Sequence, residues 1–249
     1  LRHARGQSLN DWVEMYDGLV DTFPAGVAYP TSDEEVRNLI HFAEENQLNL
    51  IPYGGGSSVV GHLTPPGEGP PTVSLDLGKM NQLLNLNKTS QEATFGAGVR
   101  GPDLEAQLEK HGYILGHFPQ SWEYSTLGGW IVTRSVGQQS YHYGRIGPLF
   151  VTGHLESPAG PLETLRVPKS AAGPDLRHLL LGSEARMGIL TQATMRIRRL
   201  PEEEHFYAAF FPNFTIGAEA VRQIAQVELP LSMVRLSDPL ETETTFQLS

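Results

Sequence analysis

Cysteine is absent from all 249 residues. That absence removes disulfides, thiolate metal sites, a cysteine nucleophile and a cysteinyl link to a prosthetic group. Basic residues are scarce as well: 18 Lys and Arg stand against 28 Asp and Glu, a net charge of −10. A nucleic-acid surface needs clustered cations, so nucleic acid is not an expected partner. No run approaches the ~18 apolar residues of a membrane helix, and no signal-peptide pattern marks the start. A cytoplasmic location is the expectation. Metal-ligand spacings such as His-Glu-x-x-His are missing, so no metal site is expected. His111, His117, His142, His154 and His178 read individually as polar surface or core residues.

What is present is an ordinary globular composition, 39% apolar, enough to bury a core as one large domain or two small ones. The most informative stretch is Pro52, Tyr53, Gly54, Gly55, Gly56, Ser57, Ser58 and Val59, directly after the apolar segment Leu48 to Ile51. Without a Cβ, successive N–H groups can converge on an anion that side chains would hold off, and phosphate is the natural candidate. A tight turn between strands is the other reading. Neither a P-loop, which ends Gly-Lys-Ser/Thr, nor a Rossmann turn, which opens a helix, fits this loop. The following Thr64-Pro65-Pro66 rules out a long helix.

Around the loop, Leu9, Trp12, Val13 and Tyr16 fall at helical spacing behind Ser8 as N-cap, with Asp11 at the capping-box position. A second helix is capped by Thr31 or Ser32 and buries Val36, Leu39, Ile40 and Ala43. Strands are expected at Leu48 to Ile51, Thr72 to Leu77, Ala93 to Ala97 and along Ile189 to Ile197, with a Pro/Gly loop at Pro65 to Pro71. Pro102 and Gly112 bracket a short helix, and another is expected from Pro174 to Gly182. Past Pro201-Glu202-Glu203-Glu204 the pattern reads as strand Phe206 to Phe211, a helix through Ala218, Val221, Ile224 and Ala225, and an extended return Leu231 to Leu236. This looks like a second domain that the sequence starts and does not complete.

Four ordered motifs carry a family resemblance: Ile51 to Val59, Pro119 to Trp130, Ala172-Gly173-Pro174-Asp175 and Gly182 to Leu190. The chain resembles the vanillyl-alcohol-oxidase or PCMH-type FAD-binding flavoproteins, most of all the alkyl-dihydroxyacetonephosphate synthases. The resemblance implies an α+β fold. It has a helical lead-in at 1–24, a PCMH-type FAD-binding domain of two α/β subdomains at 25–201, and the beginning of an α+β substrate cap at 202–249.

It also implies site residues. Gly54, Gly55, Gly56, Ser57 and Ser58, flanked by Pro52, Tyr53 and Val59, would hold the FAD pyrophosphate. Pro119, Gln120, Ser121, Ser125 and Thr126 would lie along the ribityl chain and isoalloxazine, with Ser125 and Thr126 as short donors and Gly128 and Gly129 admitting the flat ring. Thr133, Arg134 and Ser135 match a further FAD contact. Glu184, Gly188 and Ile189 belong to a segment on the adenine and pyrophosphate side, where the family usually reads Glu-Gly-Thr-Leu-Gly. Here Ala185-Arg186-Met187 departs from it. Out of context, the Ser-Thr-Leu-Gly-Gly stretch also reads as a turn and Glu184 as a solvated acid. Relatives that bind flavin covalently use a histidine, often just after the paired glycines; Ser57 occupies that place and His62 lies further on, so FAD is expected to be non-covalent. Arg235 falls where the synthases carry an arginine near the flavin, able to stabilise negative charge or bind substrate phosphate.

Two activities are then open. One is a transferase that exchanges the acyl group of acyl-dihydroxyacetone phosphate for a fatty alcohol through a flavin N5 adduct, a step of ether lipid synthesis. The other is an FAD-linked oxidoreductase of a 2-hydroxy acid of the glycolate or D-lactate type. A small-molecule lipid substrate, a homodimer, and peripheral membrane contact through regions outside this sequence are further implications of the resemblance.

Overall fold

A computed structural model describes residues 2–167 and 170–248. Leu1 and Ser249, the outer limits of the two flanking segments, lie outside the described residues. The first helix, α1 (Leu9–Asp17), carries the expected capping box: the Ser8 hydroxyl accepts from the Asp11 N–H and the Asp11 carboxylate accepts from the Ser8 N–H. Strand β1 (Gly26–Ala28) leads to α2 (Asp33–Glu45), which Ser32 caps and which buries Val36, Ile40 and Ala43. Strands β2 (Asn49–Tyr53) and β3 (Thr72–Asp76) complete a three-stranded parallel sheet in the order β1-β3-β2. The expected strand at Leu48 to Ile51 starts one residue later and runs two residues further, to Tyr53. It is only half-buried up to Tyr53.

The second unit is antiparallel. Its strands are β4 (Leu83–Asn87), β5 (Glu92–Gly96), β7 (Phe150–Glu156), β8 (Leu162–Glu163) and β9 (Ile189–Arg196). They are ordered β4-β5-β9-β7-β8, while β6 (Tyr113–Ile114) pairs with β10 (Arg198–Arg199). Between them run α3 (Gly101–Glu109), α4 (Leu127–Val132), α5 (Ser140–Tyr143), α6 (Ile146–Leu149) and α7 (Arg177–Leu180). Central strand β9 is covered on both faces, so its two alternating sets are both buried apart from Gln192 and Arg196. The main core gathers Phe95, Leu104, Leu127, Ile131, Phe150 and Met195, and a smaller one joins Val36, Ile40 and Leu75 to Ile189. The two units are also tied by charge: Arg37 on α2 donates to both oxygens of the fully buried Glu156 at 3.1 and 2.7 Å, and His154 lies 2.9 Å from the same carboxylate.

Three expectations need correction. The helix expected from Pro174 to Gly182 is only the single turn of α7. Among the described residues Phe206 to Phe211 and Leu231 to Leu236 form no strand, and Phe206, Tyr207 and Phe210 are exposed. A strand exists through its partners, and no neighbouring strand is present there. The helix between them does form, as α8 (Phe214–Gln226), followed by α9 (Pro239–Leu248). Among the described residues no helix is long and apolar enough to cross a membrane.

Candidate functional site

Parallel strands expose their carboxyl ends where a ligand can meet several loops at once, and the glycine loop leaves the carboxyl end of β2. It borders a cavity of about 620 Å³ whose opposite walls come from the segment before α4, from α4 itself and from the turn before β9. Of the residues expected in the site, Pro52 to Val59, Ser121, Ser125, Thr126, Gly128, Gly129, Thr133, Ser135, Glu184 and Ile189 all line it. Segments far apart in sequence are thus brought to one place.

Each glycine has a definite neighbour. A Cβ on Gly54 would meet the Thr126 hydroxyl, one on Gly55 the Tyr124 carbonyl, and one on Gly56, at φ +71°, the Tyr53 hydroxyl. The loop is therefore pressed against residues 124–126 as a tight turn. Its amide edge is nevertheless free: among the described residues, the N–H groups of Gly55 to Val59 donate to no backbone carbonyl. The loop is thus a tight turn on one side, and on the other it presents the unpaired amides that an anion cradle requires. The N-terminal segment braces it from outside, where the Gln7 N–H donates to the Ser58 carbonyl at 2.6 Å and Thr64 to Asp11 at 3.1 Å.

The far wall is apolar, with Leu77, Trp130, Val132 and Leu190 suited to a flat ring. Hydroxyls are less free than their number suggests. Ser125 donates to the Ser121 carbonyl at 2.8 Å and accepts from the Trp130 indole at 2.7 Å, so its expected service as a donor to the ligand is corrected to one of holding the wall. Thr133 spends its hydrogen on the Gly129 carbonyl at 2.8 Å.

Five expected site residues lie elsewhere. Pro119 and Gln120 do not line the cavity, and Arg134, in the left-handed region at φ +53°, donates through Nε to the Leu181 carbonyl at 2.9 Å, fastening α4 to α7. Gly188 owes its identity to packing, because a Cβ there would meet the Glu156 carbonyl oxygen and the Leu155 side chain. Arg235 is outside the lining as well; its exposed guanidinium pairs with Glu241.

Sequence reasoning also passed over residues that the structure brings in. His62 lines the cavity, with Nδ1 3.4 Å from the Ser58 hydroxyl and 3.8 Å from Glu184. Arg186 is the only Lys or Arg among the described lining residues. The turn that presents it is strained: Glu184 and Ala185 sit at φ +48° and +62°, a conformation costing a non-glycine residue about 1–2 kcal/mol. The departure of Ala185-Arg186-Met187 from the family pattern was the available signal for this turn.

A cavity with free amides at one wall, a single arginine and an apolar slot opposite suits a dinucleotide carrying a planar ring system. A family model described as an FAD binding domain matches residues 24–155. The chain belongs to this FAD-binding family. The match spans the glycine loop, the α4 wall and β7 as far as Leu155, and FAD is the cofactor of the domain. Among curated relatives, the alkyldihydroxyacetonephosphate synthase of Dictyostelium discoideum is 39% identical over 246 residues, 99% of this chain and 40% of that protein. A mitochondrial D-lactate dehydrogenase (cytochrome) of Saccharomyces cerevisiae is 29% identical over 218 residues, 86% of this chain and 37% of that protein. A solved structure of an alkyldihydroxyacetonephosphate synthase matches with a TM-score of 0.94 at 38% identity, covering 99% of this chain and 45% of that one. The chain thus spans less than half the length of the proteins it matches.

Within this FAD-binding fold the residues present fit the cofactor. The amides of Gly55 to Val59, with Arg186 nearby in the lining, would take the pyrophosphate. Trp130, Val132 and Leu190 would enclose the ring.

Proposed function

We propose that the protein is an FAD-dependent transferase of the alkyl-dihydroxyacetonephosphate synthase type, exchanging the acyl group of acyl-dihydroxyacetone phosphate for a fatty alcohol. The supporting observation is the 39% identity to a synthase over 99% of this chain. Bound FAD supplies the reactive ring. The chain's own residues would hold it: the glycine loop would anchor one end, and Trp130, Val132 and Leu190 would keep the other in an apolar slot that limits access of water. In the exchange an ester C–O bond breaks and an ether C–O bond forms, the fatty acid leaves, and no electrons are gained or lost. Arg235 would serve substrate phosphate only after leaving Glu241, and an exposed ion pair of this kind holds it by about 0–1 kcal/mol.

A second reading, an FAD-linked oxidoreductase of a 2-hydroxy acid, draws support from the similarity to a D-lactate dehydrogenase. The intact protein, supplied anaerobically with acyl-dihydroxyacetone phosphate and labelled hexadecanol, is expected to release one fatty acid per labelled ether product with no electron acceptor present. Failure of that exchange, with rapid bleaching of the oxidised flavin by D-lactate or glycolate, would replace the transferase by the oxidoreductase.

A further inference from the structure

We propose that His117, a buried residue outside the cavity lining, is a positioning residue that turns the Ser135 hydroxyl into a fixed hydrogen-bond donor toward the flavin ring. The inference rests on the cavity holding FAD.

His117 is fully buried, packed against the Trp130 ring at a centroid separation of 5.1 Å. Its Nε2 lies 2.6 Å from Ser135 Oγ, whereas its Nδ1 is buried with no partner among the described residues. Desolvation pushes its pKa down to about 4, so the ring is neutral near pH 7 and carries one N–H. If that hydrogen sat on Nδ1, a donor would be buried unpaired. If it sits on Nε2, only a lone pair goes unmet. Buried orphan donors are the rarer and costlier case, which selects the Nε2–H form.

The consequence passes to Ser135. Its oxygen accepts the imidazole hydrogen, so its own O–H must find an acceptor elsewhere. Among the described residues the hydroxyl has no other partner, and Ser135 lines the cavity together with Trp130 and Val132. The hydroxyls of Ser125 and Thr133 are already committed to backbone carbonyls. Ser135 is different: its orientation is set by a second side chain and its hydrogen is left for the ligand. In that apolar part of the lining, the acceptor is a ring carbonyl or ring nitrogen of the flavin and not a phosphate oxygen.

The test uses the intact protein and four variants, Ser135→Ala, His117→Phe, His117→Gln and the double variant His117→Phe with Ser135→Ala. Readouts are the dissociation constant of FAD and the visible absorption bands of the bound flavin. Ser135→Ala and His117→Phe are each expected to weaken FAD about tenfold, the loss of one buried hydrogen bond, and to shift the flavin bands alike. The double variant should be no worse than Ser135→Ala, since both changes remove one interaction. His117→Gln, whose amide N–H can still reach the hydroxyl, should restore most of the affinity and the unshifted bands. An unchanged spectrum and affinity in Ser135→Ala would overturn the inference, as would additive losses or a Ser135→Ala defect that His117→Phe does not share. Failure of the unaltered protein to bind FAD would remove the cofactor assignment itself, an outcome distinct from failure of the variants alone.

Discussion

Replacing Gly55 with valine is expected to leave the intact protein unable to retain FAD. A Cβ at this position would overlap the Tyr124 carbonyl oxygen and come within 2.8 Å of Ser125 Cα. Both are backbone atoms, and Ser125 is held by its hydrogen bonds to the Ser121 carbonyl and the Trp130 indole, so the wall cannot yield cheaply. The loop must lift instead. Its row of amides then loses the convergence that holds a pyrophosphate, and the dissociation constant of FAD should rise by more than about a hundredfold, the equivalent of two hydrogen bonds to a charged group. Overpacking at the same contact should lower stability by about 1–3 kcal/mol. Flavin content after gel filtration and a thermal melt measure the two effects. Stoichiometric flavin in the variant would show that the loop is structural only.

Acidification should destabilise the fold through His117. Burial depresses its pKa from the ordinary 6.5 to about 4, so between those values the unfolded chain takes up a proton that the folded chain refuses. Stability linked to His117 is therefore fully present above pH 6.5 and is lost progressively as pH falls toward 4. A shift of this size corresponds to about 3 kcal/mol. Glu105, whose carboxyl burial pushes up to about 7, takes up its proton in the fold across the same window and acts in the opposite direction, so the His117 contribution is read only as a difference from a variant that keeps Glu105; Asp175 and Glu219, each held at about 2 by an arginine neighbour, lose their contribution at lower pH. Denaturant unfolding at pH 7 and pH 4.5 should show stability changing less favourably on acidification in the parent than in His117→Gln, which keeps Glu105 and has no titrating group at position 117. Equal losses in both would mean that His117 is protonated in the fold and that its environment is wetter than the buried ring indicates.

Local signals in the sequence were read correctly where one residue type has one physical use. The capping box of Ser8 and Asp11, the Ser32 cap and the apolar face of α2 all depend on near neighbours, and all form. The glycine loop and the α4 segment were found through motif order, and the cavity joins them. What was not legible depends on tertiary packing. The helix α4 contains Gly128 and Gly129, poor helix formers; the Thr126 position before it and the burial of Leu127, Trp130 and Ile131 override that preference. Strand β7 carries Gly153 and His154, which weaken any local strand signal, yet it lies beside the long β9. Conversely, Phe206 to Phe211 has strand composition without a neighbour to pair with. His117 looked like any core histidine because its significance comes from Ser135, 18 positions away. The departure of Ala185-Arg186-Met187 from the family pattern marks the turn as unusual, and the strained backbone of Glu184 and Ala185 shows how it presents Arg186.

The central claim is that this cavity holds non-covalent FAD with its pyrophosphate on the glycine loop. It is tested most directly by titrating flavin-free intact protein with FAD and, separately, with riboflavin, following flavin fluorescence, and then precipitating the complex with acid. Saturation at one FAD per chain, far weaker binding of riboflavin because it lacks the pyrophosphate and the adenosine beyond it, and yellow supernatant after precipitation are the expected results. Equal affinity for the two flavins would contradict the role of the loop, and flavin left in the pellet would contradict non-covalent attachment.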